Sequence, residues 1–288
     1  MVTRSMSREI DVMHLGRARV ICAHEVDGLV VDPGPASCLD ALLAGLESEP
    51  RALLLTHIHL DHAGAAGVLA RSHPQLRVYV HERGAPHLAD PSKLLESAAR
   101  LYGDEMERLW GEVAPVPAER ITALAGGEAV EGMRVAYTPG HASHHVCYLH
   151  EDSGEAFVGD VAGVRLPGSP YTVVPTPPPE VDVEAWLESL DAVEDWGAAA
   201  LCLTHFGRHV DAWDQLQRAR ESLRIRSEKA REATPEEFAA WSEAETRAAV
   251  DAATADALVQ AAPPDQLGLG LRRYWDQRAK PAQEAEGG

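Results

Sequence analysis

Cysteine is scarce in this chain, and what there is forms no motif. Four occur in 288 residues (Cys22, Cys38, Cys147 and Cys202), and no two stand in Cys-x-x-Cys spacing. No thiol redox motif is therefore expected. Three of the four sit in apolar, strand-like runs, where a thiol is expected to be reduced and buried. Positive charge is also short. Lys and Arg number 26 against 45 Asp and Glu, for a net charge of −19. An acidic surface repels phosphate backbones, so nucleic acid is not an expected partner. No stretch is apolar enough to cross a membrane, so none is expected as a partner either. Residues 1–8 lack the apolar core of a signal peptide, which predicts a cytoplasmic location. Apolar content, at 45%, is ordinary for a globular protein, and the length can bury one large core plus an appendage.

What the chain does have is histidine in a tight group. Thr56-His57-Ile58-His59-Leu60-Asp61-His62 places four potential metal ligands within six residues. His57 and His59 close an apolar run, Ala52-Leu53-Leu54-Leu55. Side chains at i and i+2 of an extended segment point the same way, so two imidazoles can reach one ion. Asp61 and His62 follow where the chain turns helical, point elsewhere, and can reach a second ion. Imidazole and carboxylate together suit zinc or iron. Three more candidates stand singly: His141 in Thr138-Pro139-Gly140-His141, Asp160 in Phe157-Val158-Gly159-Asp160, and His205 after Leu201-Cys202-Leu203-Thr204. Each follows a strand-like run, where a sheet presents its loops.

This set of residues resembles the metallo-β-lactamase superfamily over residues 8–210. The resemblance implies an α/β fold, an αββα sandwich. It implies that His57, His59 and His141 bind a first metal, that Asp61, His62 and His205 bind a second, and that Asp160 bridges both. Asp32, in Leu29-Val30-Val31-Asp32-Pro33-Gly34, matches the family's early Asp, which supports the ligands by hydrogen bonding instead of binding metal. The implied cofactors are two divalent ions, zinc foremost and iron as the alternative. Two such ions ~3.5–4 Å apart clamp a water and lower its pKa toward ~7. Asp61 is expected to help orient that water. The expected function is hydrolysis of an ester, thioester, lactone or amide bond of a small molecule by a metal-bridging hydroxide. The alternatives are a single-iron sulfur oxidoreductase resembling the persulfide dioxygenases, or a non-catalytic metal-bound scaffold.

Absences also bear on the branch. His59 stands where the flavin-linked di-iron branch has Glu, and no flavodoxin domain is present. Thr138-Pro139-Gly140-His141 looks like the corresponding segment of glyoxalase II. That family, like the persulfide dioxygenases, follows its last metal His with an acid and a Tyr, whereas His205 precedes Phe206-Gly207. Secreted zinc β-lactamases often use a Cys ligand, which is missing here. The lactonases carry a Tyr shortly before the last His, and residues 201–204 contain none.

Strands are expected at residues 20–23, 29–31, 53–55, 76–80, 146–149, 156–158 and 200–203. Helices are expected at 36–48, with Leu39, Leu42, Leu43 and Leu46 on one face, and at 182–196. Residues 83–118 read as two short helices packed on the core. The other reading has them overhang the metal cleft and lend Tyr102, Met106 or Trp110 to a pocket. Arg165 and Tyr171 flank or lie in a proline-stiffened loop, 167–180, and are the candidate substrate contacts. One of His144 and His145 is a candidate hydrogen-bond donor near the first metal, and His81 and His87 are not expected to be ligands. Residues 1–210 form the expected catalytic domain, 211–280 a helical extension, and 281–288 a disordered tail. In the extension, Trp213, Leu216 and Leu223 form one apolar stripe. Thr234-Pro235-Glu236-Glu237 is a capping box, and Phe238 and Trp241 follow it. These stripes are expected to dock on the parent domain or to join a homodimer. Leu267 to Trp275 are expected to reach the pocket, with Tyr274 or Trp275 as a wall.

Overall fold

Short runs of aliphatic residues set the architecture, because each is too brief to bury its backbone alone and must pair. The computed structural model describes residues 6–279. The expected tail at 281–288 lies outside them.

The first sheet runs β1 (Arg8–Asp11), β2 (Cys22–Val26), β3 (Leu29–Val31), β4 (Ala52–Leu54), β5 (Arg77–His81) and β6 (Ile121–Leu124), in that spatial order. Its first two pairings are antiparallel, and β3 to β6 pair in parallel. The second sheet contains β7 (Ala129–Val130), β8 (Met133–Tyr137), β9 (Val146–His150), β10 (Glu155–Gly159), β11 (Ala200–Leu203) and β12 (Gly207–His209). Its order is β12-β11-β10-β9-β8-β7, and only β10 and β11 are parallel.

Side-chain alternation assembles the layers. Leu29, Val31 and Leu54 of the first sheet share one buried cluster with Met133, Val135, Tyr148 and Phe157 of the second. Their neighbours Val30, Leu53, Val78 and Val80 fall in a different cluster, with the helices. On that side lie α1 (Leu39–Gly45), the one-turn α2 (Leu60–Ala63) and α3 (Ala66–Ser72). Next in the chain come α4 (Ala85–Ala89), α5 (Ser92–Tyr102) and α6 (Met106–Trp110). Beyond the second sheet lie α7 (Val183–Glu194) and α8 (Ala212–Glu232), which pack on each other. Trp186 of α7 is fully buried, and its indole N–H donates to the Val161 carbonyl at 2.8 Å. The result is an αββα sandwich carrying C-terminal helices.

The chain then adds α9 (Pro235–Ala249), α10 (Ala252–Ala261) and α11 (Pro264–Ala279), with α11 packed on α8 and α9. Thr234 and Glu237 form the capping box of α9. Arg226 of α8, 2% exposed, ties the group together. Its guanidinium donates to Ser242 at 2.7 Å, to the Tyr171 hydroxyl at 3.0 Å and to Glu245 at 3.1 Å. Leu216, Leu223 and Phe238 are covered by the same chain.

Several expectations need correction. The helix at 36–48 is a single tight turn, residues 36–38, followed by α1, and of its four leucines only Leu42 is buried while Leu43 is exposed. Residues 83–118 form three helices, not two. Trp213 is 61% exposed and donates to Glu194, so it leaves the stripe that Leu216 and Leu223 keep. Strands β1, β6, β7 and β12 lie outside the expected strands, and β8 is the strand-like run expected before His141.

Backbone contact sets one sharp requirement. A Cβ on Gly270 of α11 would lie 2.0 Å from the Thr176 carbonyl oxygen and 2.8 Å from the Pro177 carbonyl carbon. Alanine in an exposed helix gains about 1 kcal/mol over glycine. Here the clash is with backbone, and overpacking costs typically about 1–3 kcal/mol. Net of alanine's gain, Gly270→Ala should therefore lower the urea midpoint by the equivalent of up to about 2 kcal/mol. A midpoint at or above wild type would show that the tail does not seat against the proline loop.

Candidate metal centre

The candidate ligands converge because of where they leave the sheets. Asp32 directly follows β3, and residues 55–57 follow its parallel neighbour β4. Asp160 directly follows β10, and His205 lies just beyond β11, again a parallel pair. Strand β8, antiparallel to β9 as β10 is, points the same way and delivers His141. The carboxyl ends of strands from both sheets thus meet at one rim of the sandwich.

Two groups of donor atoms form there. His57, His59, His141 and Asp160 each offer an atom within 4.8 Å of the others, and so do Asp61, His62 and His205. His57 Nε2 lies 2.9 Å from His59 Nδ1, and His141 Nε2 lies 3.2 Å and 3.0 Å from those two atoms. Tetrahedral ligands 2.0–2.1 Å from an ion stand about 3.3 Å apart. Asp160 faces both groups. Its Oδ2 is 3.3 Å from His141 Nε2, and its Oδ1 is 3.3 Å from His62 Nε2 and 3.6 Å from His205 Nε2. Asp61 Oδ2 lies 3.3 Å from His205 Nε2.

The far nitrogens decide the tautomers. A carbonyl or carboxylate only accepts, so a ring nitrogen bonded to one must donate. His141 Nδ1 donates to the Pro175 carbonyl at 2.8 Å and His205 Nδ1 to the Val20 carbonyl at 2.6 Å. His62 Nδ1 donates to Asp32 at 2.8 Å. The Thr56 hydroxyl gives its proton to Asp32 at 2.7 Å, so its oxygen accepts from His57 Nδ1 at 3.1 Å. In the neutral rings, the Nε2 atoms of His57, His62, His141 and His205 are then all lone pairs turned inward. This is how proteins prepare histidines for a metal.

Asp32 holds this arrangement together. It is fully buried and also accepts the Thr56 amide at 2.8 Å and the Thr204 hydroxyl at 2.7 Å. One carboxylate thereby fixes the residues preceding His57 and His205 and orients His62 directly. Its backbone is left-handed, at φ 49°, a region that Asp enters more readily than most residues.

The charge balance agrees with an ion-binding role. Burial and the neighbouring imidazoles of His62, His59 and His141 hold the His57 pKa well below its usual value. Burial and His141 push His59 down to about 3. Both therefore remain neutral donors. The second group is the reverse. Burial would depress His62, yet Asp160, Asp61 and Asp32 outweigh it and raise its pKa well above normal. For His205, burial is likewise outweighed by Asp160 and Asp61. These carboxylates call for positive charge, which a bound cation would supply in place of protons. Among the described residues, His62 Nε2, His205 Nε2 and Asp160 Oδ1 are buried without a hydrogen-bond partner. Orphaned buried polar atoms facing one another fit a divalent ion.

Other expectations fare differently. Arg165 and Tyr171, expected at the substrate, are engaged elsewhere. The Arg165 guanidinium grips Asp211 at 2.9 Å, and the Tyr171 hydroxyl bonds Thr246 and Arg226. Neither lines the cavity over the metal ligands; both fasten the C-terminal helices. That cavity, of about 750 Å³, is bounded by His59, Asp61 and Asp160 at its floor. Tyr102 and Trp110 line it, and Met106 does not. From the tail come residues 260–263 with Gln266 and Leu267. Tyr274 and Trp275 are not walls, since their polar atoms bond Glu184 and Ser227. His145 bonds Thr138 and receives the Asp160 amide, while His144 lines the cavity. His81 stacks on Tyr137, outside both donor groups. His87 lines the cavity without joining either group. His14, also a lining residue, stacks on Trp110; nothing local in the sequence signalled it.

Comparison with known proteins places this geometry. The family model described as "Metallo-beta-lactamase superfamily" matches residues 20–205. A metallo-beta-lactamase fold-containing protein of Sulfurisphaera tokodaii is 33% identical over 145 residues, covering 48% of this chain and 53% of that protein. A hydroxyacylglutathione hydrolase of a Synechococcus species is 30% identical over 154 residues, half of each chain. The match thus spans about half the length of these curated relatives. Among solved structures, that of the same archaeal protein, ST1585 from Sulfolobus tokodaii, superposes with a TM-score of 0.70 at 23% identity, covering 92% of this chain and 98% of that one. Another, described in a di-iron-bound form, gives a TM-score of 0.51 at 24% identity, covering 74% and 91%. With the family model matching well over half of its length, this chain belongs to the metallo-β-lactamase superfamily.

Proposed function

We propose that this protein is a dinuclear metallo-hydrolase acting on an ester, thioester, lactone or amide bond of a small molecule. The observation that carries the reading is Asp160, a single buried carboxylate facing two separate imidazole groups. His57, His59 and His141 would hold one ion, and Asp61, His62 and His205 the other. Ions bound there would lower the pKa of water toward ~7 and polarise the scissile carbonyl.

The chain's own residues would do the rest. Asp160 would set the spacing of the two ligand groups. Asp61, partly exposed and lining the cavity, would accept a hydrogen bond from the attacking water and keep it aimed at the carbonyl carbon. Asp32 would fix ring orientation through Thr56 and His62. The walls formed by α5, α6 and the C-terminal helices would exclude bulk water, which strengthens each electrostatic contact.

The second donor group favours two ions over the single-iron oxidoreductase. Imidazole and carboxylate donors without cysteine suit zinc and also iron, and the di-iron form of one structural neighbour keeps iron in view. Similarity to hydroxyacylglutathione hydrolases supports a thioester among the substrates, although Phe206-Gly207 replaces the acid and tyrosine expected for the glutathione branch. A cytoplasmic location belongs to the same proposal, supported by four unpaired, buried cysteines. Among the described residues, no helix is long and apolar enough to cross a membrane.

Elemental analysis of protein purified without chelator should give close to two zinc or iron ions per chain. Fewer than one after reconstitution would sink the reading. A panel of esters, thioesters, lactones and amides should then show hydrolysis that chelator abolishes and metal restores, without oxygen uptake. Fully metallated protein inactive across the panel would favour the scaffold reading.

Substitutions should rank in order. Asp160→Ala removes a partner from both groups and should cost more activity than His205→Ala, which weakens mainly the second ion. Wild-type activity in Asp160→Ala would contradict its assignment. Asp32→Ala leaves the His62 and Thr56 donors unpaired, at about 1–3 kcal/mol per buried group. It should also weaken metal binding by about 10–100-fold, read by competition with a chromogenic chelator.

A further inference from the structure

The wall opposite the metal ligands is built unlike the rest of the fold. Helix α5 is strongly amphipathic, yet none of its eleven residues is buried. Leu94, Ala98 and Leu101 recur at i, i+4 and i+7, which puts them on one face. All three line the cavity, and none is more than partly covered. Ala261, Ala262 and Leu267 of the C-terminal segment line it as well. An apolar helix face normally finds a core to cover it. Here Leu94 packs partly on the core, while Ala98 and Leu101 face a space of about 750 Å³, within the ~300–1,000 Å³ range of pockets for small organic ligands. The same space opens onto His59, Asp61 and Asp160. A ligand with its carbonyl at those residues would lay its adjoining substituent against α5.

We propose that the substrate carries an apolar group of several carbons beside the scissile bond, and that Ala98 and Leu101 of α5 bind it. This rests on the hydrolase reading for the reaction, but the pocket can be tested without turnover. The apolar group belongs to the acyl side or to the leaving group, and the two share one binding chemistry.

The test is calorimetric titration of the metal-loaded full chain with 1-hexanol, 1-octanol and 1-decanol. Burying one methylene is worth at most about fourfold in affinity. Affinity should rise at least about tenfold from hexanol to decanol. Ala98→Trp, which fills the space, and Leu101→Gln, which makes its wall polar, should each lower decanol affinity about tenfold or more. Neither site is buried, so both variants should fold, and circular dichroism with metal content verifies this. Affinity flat across the series, or unchanged in both variants, overturns the proposal. In parallel, p-nitrophenyl esters from acetate to decanoate and alkyl acetates of rising length assign the group to one side. Cleavage that ignores chain length in both series also overturns it, while leaving the hydrolase reading intact. Chain-length-dependent binding with no ester, thioester, lactone or amide of the panel cleaved keeps the pocket and sinks the hydrolase reading instead.

Discussion

A buried carboxylate surrounded by imidazole lone pairs is the constraint on which this molecule turns. Taking a carboxylate out of water costs several kcal/mol unless positive charge or hydrogen bonds compensate. Asp160 is only 3% exposed, and its partners on both sides are histidine nitrogens. Four of those rings are fixed from behind, by Asp32, by the Thr56 hydroxyl and by two main-chain carbonyls. None can turn away from the centre without breaking a buried hydrogen bond. The sandwich therefore holds a preorganised set of donors that a divalent cation would complete.

That preorganisation explains the sheet arrangement. The parallel pairs β3–β4 and β10–β11 exist on opposite sheets, and their carboxyl ends share one rim. Asp32 connects the sheets chemistry to chemistry, with Thr56 and His62 on one side and Thr204 on the other. A one-residue slip in β4 or β11 would turn these side chains toward the opposite face. The interior leucines and valines thus set the register that the site requires.

Much of the site was legible because its code is local. His57 and His59 obey the two-residue period of extended chain, and Asp160 and His205 each follow an apolar strand. What stayed hidden depends on tertiary direction. Arg165 and Tyr171 read as loop residues near a ligand, yet Asp211 and Arg226, distant in sequence, turn them toward the tail. Trp213 read as core, but helix α8 presents Leu216 and Leu223 inward and leaves the indole at Glu194. Strand β1 carries a single apolar residue, Ile10, among three charged ones, and β8 alternates only over Met133, Arg134 and Val135, too short a run for a period of two to stand out. Helix α5 repeats Leu94, Ala98 and Leu101 at helical spacing, but no periodicity says whether an apolar face meets a core or a cavity.

The most direct test of this account is a crystal structure of the metal-loaded protein with anomalous data at the zinc and iron edges. Two ion peaks per chain are expected, with His57, His59 and His141 on one, Asp61, His62 and His205 on the other, and Asp160 coordinating both. A single ion, or two ions with Asp160 bound to only one of them, would contradict it.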